Sequence, residues 1–320
     1  VDEASPAITG WNMIVRETPS LLTLFLEIRG SVIRRIYPRV LIVMALSVFV
    51  VWGHSREPQF IPLVDGAPFS LVGIALSIFL GFRNNACYDR WWEGRKLWGR
   101  LLAASRDLAR QTIVLTRPDG TATGARARLV HLNIIFVDEL VRHLRYHDRP
   151  NKTADATLSP EEKKALSTTR NVPDYILRLI GEAFARLRCT GAISDIEFSI
   201  FDRTLCELNG VLAGCERLRN TPVPFGYTLL LHRTAYLFCF MLPFGLADVL
   251  GALTPVAAGV VAYTFFGLDA LGDELEAPFG ILPNDLPIAA IAKTIEISLR
   301  EALKEGDLPE MPKPVDTILL

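Results

Sequence analysis

Four stretches of this chain contain no Asp, Glu, Lys, Arg or His: Val40 to Gly53, Gly66 to Phe82, Thr234 to Ala247 and Val249 to Leu268, of 14, 17, 14 and 20 residues. A straight helical span of the hydrocarbon core needs about 20 residues. The fourth stretch therefore qualifies alone and the second nearly does, whereas the two shorter ones would also suit buried core helices. Their flanks favour spans: Arg39 and Arg233 each bound a short run on one side, where a long side chain can snorkel to the interface. Tyr37, Trp52, Tyr227 and Tyr236 stand where an interfacial aromatic belt would lie. Four transmembrane helices are expected. The remainder is too charged for a chain living wholly in lipid, with 22% of residues Asp, Glu, Lys or Arg beside 50% apolar.

Arg16, Arg29, Arg34, Arg35 and Arg39 precede the first span, and Arg83, Arg90, Arg95, Lys96 and Arg100 follow the second. The connection His54 to Asp65 holds one Arg, and Leu246 to Pro255 holds none. The positive-inside rule places both basic flanks, and so both termini, in the cytoplasm. The expected layout begins with appended residues over 1–12, with Met13 the natural start, and a cytosolic or interfacial segment over 13–39. Transmembrane helices 1 and 2 occupy 40–92, a cytosolic helical domain 93–226, transmembrane helices 3 and 4 227–271, and a cytosolic segment 272–320. Helix signals fill the middle section. Ser159, Pro160 and Glu162 form a start signal. Ile176, Leu179, Ile180, Ala183, Phe184 and Leu187 make one apolar stripe behind Pro173, and a long helix through Ile193 to Cys215 should stop at 221–224, ThrProValPro. Alternating β-branched runs are scarce, so the chain is all-α with essentially no sheet.

In the second span, Gly73, Ser77 and Gly81 recur every four residues, and so do Ile74, Ile78 and Phe82 one position along. The small residues form a ridge on which helices can approach closely in lipid. The bulky stripe beside them would line whatever several such helices enclose. Stacked apolar rings make a constriction that gates ions by dewetting, without charge. One helix cannot enclose a hole, so this reading requires a ring of identical chains. Ordinary helix packing is the competing reading of both stripes.

Directly after this span the sequence reads GlyPheArgAsnAsnAlaCysTyrAspArgTrpTrpGluGlyArgLysLeuTrpGly, residues 81 to 99. It resembles the bestrophin family, whose pore helix ends in GlyPhe with ArgTrpTrp eight residues on, here Gly81, Phe82, Arg90, Trp91 and Trp92. Matching patches are ArgGlySer at 29–31, CysGluLeuAsnGly at 206–210 and AlaProPheGly at 277–280. GluGlyArgLysLeuTrpGly looks like the bacterial branch. The resemblance implies a homopentameric ion channel of the bacterial inner membrane, with lipid and permeant monovalent ions as partners and a hydrophobic neck at Ile74, Ile78 and Phe82. It also implies a second, cytosolic aperture, placed near Ala192 and Ile193. Where the animal proteins carry an acidic run that clasps calcium, this chain reads IleLeuProAsnAspLeuPro, 281–287. Calcium takes about six to eight oxygen ligands. The clasp is therefore expected to be absent, with no cofactor, and Asp269, Asp273, Glu274 and Glu276 are read as a solvated helix end.

A neutral neck cannot select the sign of an ion. Asp195, Glu197 and Asp202 begin the helix nearest the lower aperture against Arg203 alone, so five copies would favour cations. The expectation leans to Na+ and K+, with chloride conduction as in the animal proteins the alternative and helix N-terminal acids the plain explanation. With 34 basic against 35 acidic residues there is no overall field for nucleic acid. His143 and His147 stand one turn apart and could share a metal, yet HisLeuArgTyrHis lacks the Glu of HExxH. No nucleophile elbow or phosphate loop is present, so an enzyme is not expected. A secondary transporter would want broken helices, for which only Pro243 and Pro255 speak. The five cysteines have no CxxC spacing and suit a reducing compartment.

Overall fold

The computed structural model of the chain describes residues 13–14, 30–59, 64–115, 123–145, 157–312, 314–315 and 318–319. Nine α-helices are found among them. They are α1 (Ile33–Arg56), α2 (Gly66–Gln111), α3 (Thr123–Arg145), α4 (Pro160–Thr168), α5 (Val172–Cys189), α6 (Asp195–Asn220), α7 (Phe225–Leu250), α8 (Thr254–Glu276) and α9 (Ile288–Ala302). Two-residue strands β1 (Met13–Ile14), β2 (Pro314–Val315) and β3 (Ile318–Leu319) pair antiparallel in the order β1-β3-β2. The fold is all-α, as expected. The first twelve residues, Arg16, Arg29 and His147 lie outside the described residues.

Two compact units divide the chain, one of Arg16–Trp91 and Pro222–Pro278, the other of Val1–Val15, Trp92–Thr221 and Phe279–Leu320. In the first, α1 packs most extensively on α8, and both pack on α7. Among the described residues three stretches are long and apolar enough to cross a membrane, Ile33–Arg56, Gly66–Leu115 and Phe225–Glu276. The last is two helices, broken where Gly251 takes φ +49°, a left-handed geometry that suits glycine. Four helices thus serve the four apolar stretches. The second stretch is the first part of a longer helix: α2 runs unbroken for 46 residues, well past Phe82, because no proline interrupts it after Pro68. Val43, Leu76, Leu80, Phe238, Leu242, Phe265 and Phe266 fill the core of this unit. In lipid, apolarity alone gives little drive to associate, so close packing and satisfied polar groups hold it. Buried Ser47 accordingly donates to the Val43 carbonyl four residues back, at 2.8 Å.

The other unit is amphipathic. Helix α3 packs on α5 and α9, and α5 on α6. Phe184 of α5 stacks on Phe201 of α6 with centroids 4.2 Å apart, and each such side chain taken from water contributes about 1.5–3 kcal/mol. Capping boxes start α4 (Ser159 with Glu162) and α6 (Ser194 with Glu197). α6 stops at Asn220, before ThrProValPro.

Candidate functional site

Helix α2 presents two opposed stripes. Leu76, Leu80, Arg83 and Cys87 are buried, at 3%, 0%, 0% and 0% exposure. Ile74, Ile78 and Phe82 are 63%, 51% and 61% exposed. At about 100° per residue the centres of the two stripes lie about 170° apart, so the apolar stripe points directly out of the protomer. Of the small ridge, Gly73 is half-buried, and a Cβ there would stand 3.2 Å from the Phe238 ring. Ser77 is exposed and donates to the Gly73 carbonyl at 2.7 Å, while a Cβ on Gly81 would meet nothing within 4 Å. Within one protomer, then, only Gly73 uses the ridge. The neighbouring helices expose bulky apolar side chains too: Leu41, Ile42, Val48 and Phe49 on α1, Leu230, Leu237 and Met241 on α7. The outward surface of α2 mixes Ser70, Ala75, Ser77 and Gly81 with its bulky stripe and with Leu71, Val72 and Phe79.

One residue beyond Phe82, the buried stripe carries a charge. Arg83 Nη1 donates to Asp269 Oδ1 at 2.8 Å and Nη2 to Asp273 Oδ1 at 2.6 Å, with Glu276 Oε2 3.7 Å away. His232 Nδ1 lies 2.7 Å from the second Asp269 oxygen, and Arg35 Nη2 donates to the second Asp273 oxygen at 2.9 Å. Gly272 makes room for the guanidinium, since a Cβ there would lie 3.2 Å from Arg83 Nη1 and 2.6 Å from Asn84 Oδ1. Charges out of water are tolerated only when paired and hydrogen-bonded. The acids of α8 are therefore not a solvated helix end: Asp269 and Glu274 are buried, and Asp269 with Asp273 tethers α8 to α2. Sequence reading assigned Arg83 only to a basic flank. Its place at i, i+4, i+7 behind Leu76 and Leu80 was the signal that it faces inward.

The family motif has separate local roles. Arg90 Nε donates to the Glu276 carbonyl at 3.0 Å, Trp91 stacks near Tyr88 at 6.1 Å, and Trp92 is exposed. At the expected cytosolic aperture Ile193 is 3% exposed and packs inside its own unit, which removes it from any lumen. Ala192 is partly exposed. The outward apolar side chain there is Ile196, 75% exposed, followed one turn on by Ile200. Counting helix residues from the Ser194 cap would have found it. Asp195 accepts from Arg188 Nε at 2.6 Å, and Glu197 closes the capping box by accepting from Ser194 N at 2.7 Å. Asp195 and Asp202 stand about 120° round α6 from the stripe of Ile196, Ile200, Arg203 and Glu207. Two of the three acids thus have local work, and the plain explanation accounts for them.

His143 Nε2 lies 3.0 Å from Glu216 Oε1, which also accepts from Asn171 at 2.7 Å. Among the described residues no three His, Cys, Asp or Glu side chains converge on one point. In the 279–287 loop, Arg145 donates to the carbonyls of Phe279 (3.2 Å) and Leu286 (3.0 Å). Asp285 accepts from the Leu282 amide at 2.6 Å.

A family model described as bacterial and fungal bestrophin protein matches residues 13–301. The chain is 42% identical over 301 residues to a voltage-dependent anion channel-forming protein of Salmonella typhimurium, covering 93% of this chain and 96% of that one. A protein of the same description from Mesorhizobium japonicum is 42% identical over 301 residues, covering 94% and 96%. The crystal structure of a bacterial bestrophin homologue from Klebsiella pneumoniae superposes with a TM-score of 0.80 at 40% identity, over 85% of this chain and all of that one. By sequence along nearly its whole length and by fold, this chain belongs to the bacterial and fungal bestrophin family.

Proposed function

We propose that the protein is a homo-oligomeric, ring-shaped ion channel of the bacterial inner membrane, with five copies of α2 around the axis and Ile74, Ile78 and Phe82 as its hydrophobic neck. One observation carries the reading: α2 turns Ile74, Ile78 and Phe82, with Leu71 on the same stripe, away from its own protomer, beside the small exposed residues Ser70, Ser77 and Gly81. Small residues let like helices approach in the membrane, and the bulky stripe then meets the enclosed space. The relatives' names, as channel-forming proteins, support the same conclusion. Ile196 is the side chain we assign to the cytosolic aperture, in place of Ile193. The arginines Arg34, Arg35, Arg39 and Arg90 set α1 and α2 with those ends in the cytoplasm. Calcium activation is not part of the proposal. The 279–287 loop is held by the Arg145 guanidinium and supplies only Asp285 as carboxylate, itself engaged by a backbone amide.

On the sign of the ion two readings stand, each on its own support. Anion conduction is supported by the relatives' names. Cation conduction keeps the exposed acids Asp202 and Glu207 on α6. Purified protein in a planar bilayer under a salt gradient separates them by the sign of the reversal potential. In the same bilayer Ile78→Ala is expected to raise open probability or conductance. Saturable flux without unitary steps would replace the channel by a transporter, and an unchanged Ile78→Ala current would remove the neck.

A further inference from the structure

The unit of residues 92–221 and 279–320 contains a cleft of about 440 Å³ that conduction does not use. Arg106 and Arg110 line it from successive turns at the end of α2, and Arg126 from the first turn of α3. The far wall is the last turns of α9, with Ser298, Leu299, Glu301 and Ala302. Three guanidiniums thus meet one lining carboxylate. What holds them is mostly neutral. Arg106 Nη2 donates to Ser298 Oγ at 2.9 Å, and Arg126 Nη2 to the Ala302 carbonyl at 2.8 Å. Among the described residues, Arg110 alone of the three pairs with an acid, Asp107 at 2.8 Å on the exposed side of the helix. Arg126 Nε is buried with no hydrogen-bond partner among the described residues.

A buried donor such as Arg126 Nε is costly to leave unmade, and guanidinium forks match the oxygens of a phosphate or carboxylate better than any neutral group. The cleft is not wholly polar: Ala109, Ile113 and Leu299 give it an apolar patch beside the arginines. Its volume falls in the range of small-ligand sites. We propose that this cleft binds a soluble organic phosphate, its phosphate on Arg106, Arg110 and Arg126 and its carbon skeleton against Ile113 and Leu299. The ligand would bridge α2, the helix that carries the neck stripe, to α3 and α9, which makes the site suited to an effector.

The test is calorimetric titration of phenyl phosphate and of inorganic phosphate into the full chain in lipid-free detergent, at matched ionic strength. Phenyl phosphate should bind more tightly than inorganic phosphate, because only it fills the apolar patch. Arg106→Gln and Arg126→Gln should each weaken binding about tenfold or more, since each removes a charge-assisted contact. Arg178→Gln, on the exposed face of α5, should leave it unchanged and guards against a general charge effect. Arg106→Gln changes an exposed side chain, so the test survives if Arg126→Gln fails to fold. Equal binding in Arg106→Gln and the parent, or none above the salt control, overturns the site. Binding only to nanodiscs of phosphatidylglycerol, lost in the same variants, overturns the soluble ligand in favour of a lipid headgroup.

Discussion

Replacing Arg83 by Met tests the tether between α2 and α8 and has a magnitude that the geometry fixes. The guanidinium is fully buried and makes contacts of 2.8 and 2.6 Å to Asp269 and Asp273. Asp269 is 2% exposed, so in the variant its charge keeps only His232 as an ionic partner. Stranding one member of a buried pair costs about 3–5 kcal/mol. Asp269→Asn is milder, roughly 1–2 kcal/mol, because Arg83 keeps Asp273, which is one-third exposed and also held by Arg35. Combining the two leaves no unpaired charge in the core. The double variant should therefore be more stable than the sum of the singles predicts, by about 1–3 kcal/mol of coupling. Thermal stability in detergent, read by size-exclusion after a heat step, gives the comparison, with a loss of roughly 10 °C expected for Arg83→Met alone. A loss within a degree or two for Arg83→Met, or strict additivity, would refute the buried tether.

Asp138 on α3 gives a pH prediction outside the membrane. Burial, with Glu296 and Glu139 nearby and against Arg142 and Lys293, pushes its carboxyl up to about 6 from 3.8. The native state then holds the proton more tightly than the unfolded chain, so stability falls as pH rises from about 4 through about 6. Asp138→Asn should stabilise the protein by about 1–3 kcal/mol at pH 8 and by nothing at pH 4; denaturant melts at the two pH values check it, and an equal effect at both would contradict it. Cysteine labelling offers a simpler check. Cys189 and Cys206 are exposed, whereas Cys215 is buried with its thiol pushed up to about 12 by desolvation. Maleimide at neutral pH should modify the first two and spare Cys215 until the protein is denatured.

Much of this molecule could be read from residues alone, for identifiable reasons. The start of α4 at Ser159 and of α6 at Ser194, and the stop at ThrProValPro, follow from local side-chain chemistry, so they need no tertiary information. Ile74, Ile78 and Phe82 were legible as a stripe because period four along a helix is a one-dimensional pattern. Which way a stripe faces is not. Ile196 and Ile193 look alike in sequence, and packing alone buries one and exposes the other. Charge was the harder case. Asp269 and Asp273 resemble a solvated helix end until Arg83, some 190 positions away in the chain, is seen against them. Helix α9 escaped notice for a different reason: Pro287 at its N-cap makes no side-chain cap, so no start signal announces it.

The most direct measurement is thiol block at the neck. With Cys189 and Cys206 changed to Ser, Ile78→Cys and, separately, Leu41→Cys are placed in planar bilayers and exposed to a bulky charged thiol reagent. Leu41 is 56% exposed on α1 and serves as the membrane-facing control. A neck lined by α2 predicts irreversible loss of current for Ile78→Cys and none for Leu41→Cys. Undiminished current through modified Ile78→Cys channels would show that this side chain never meets the ion path.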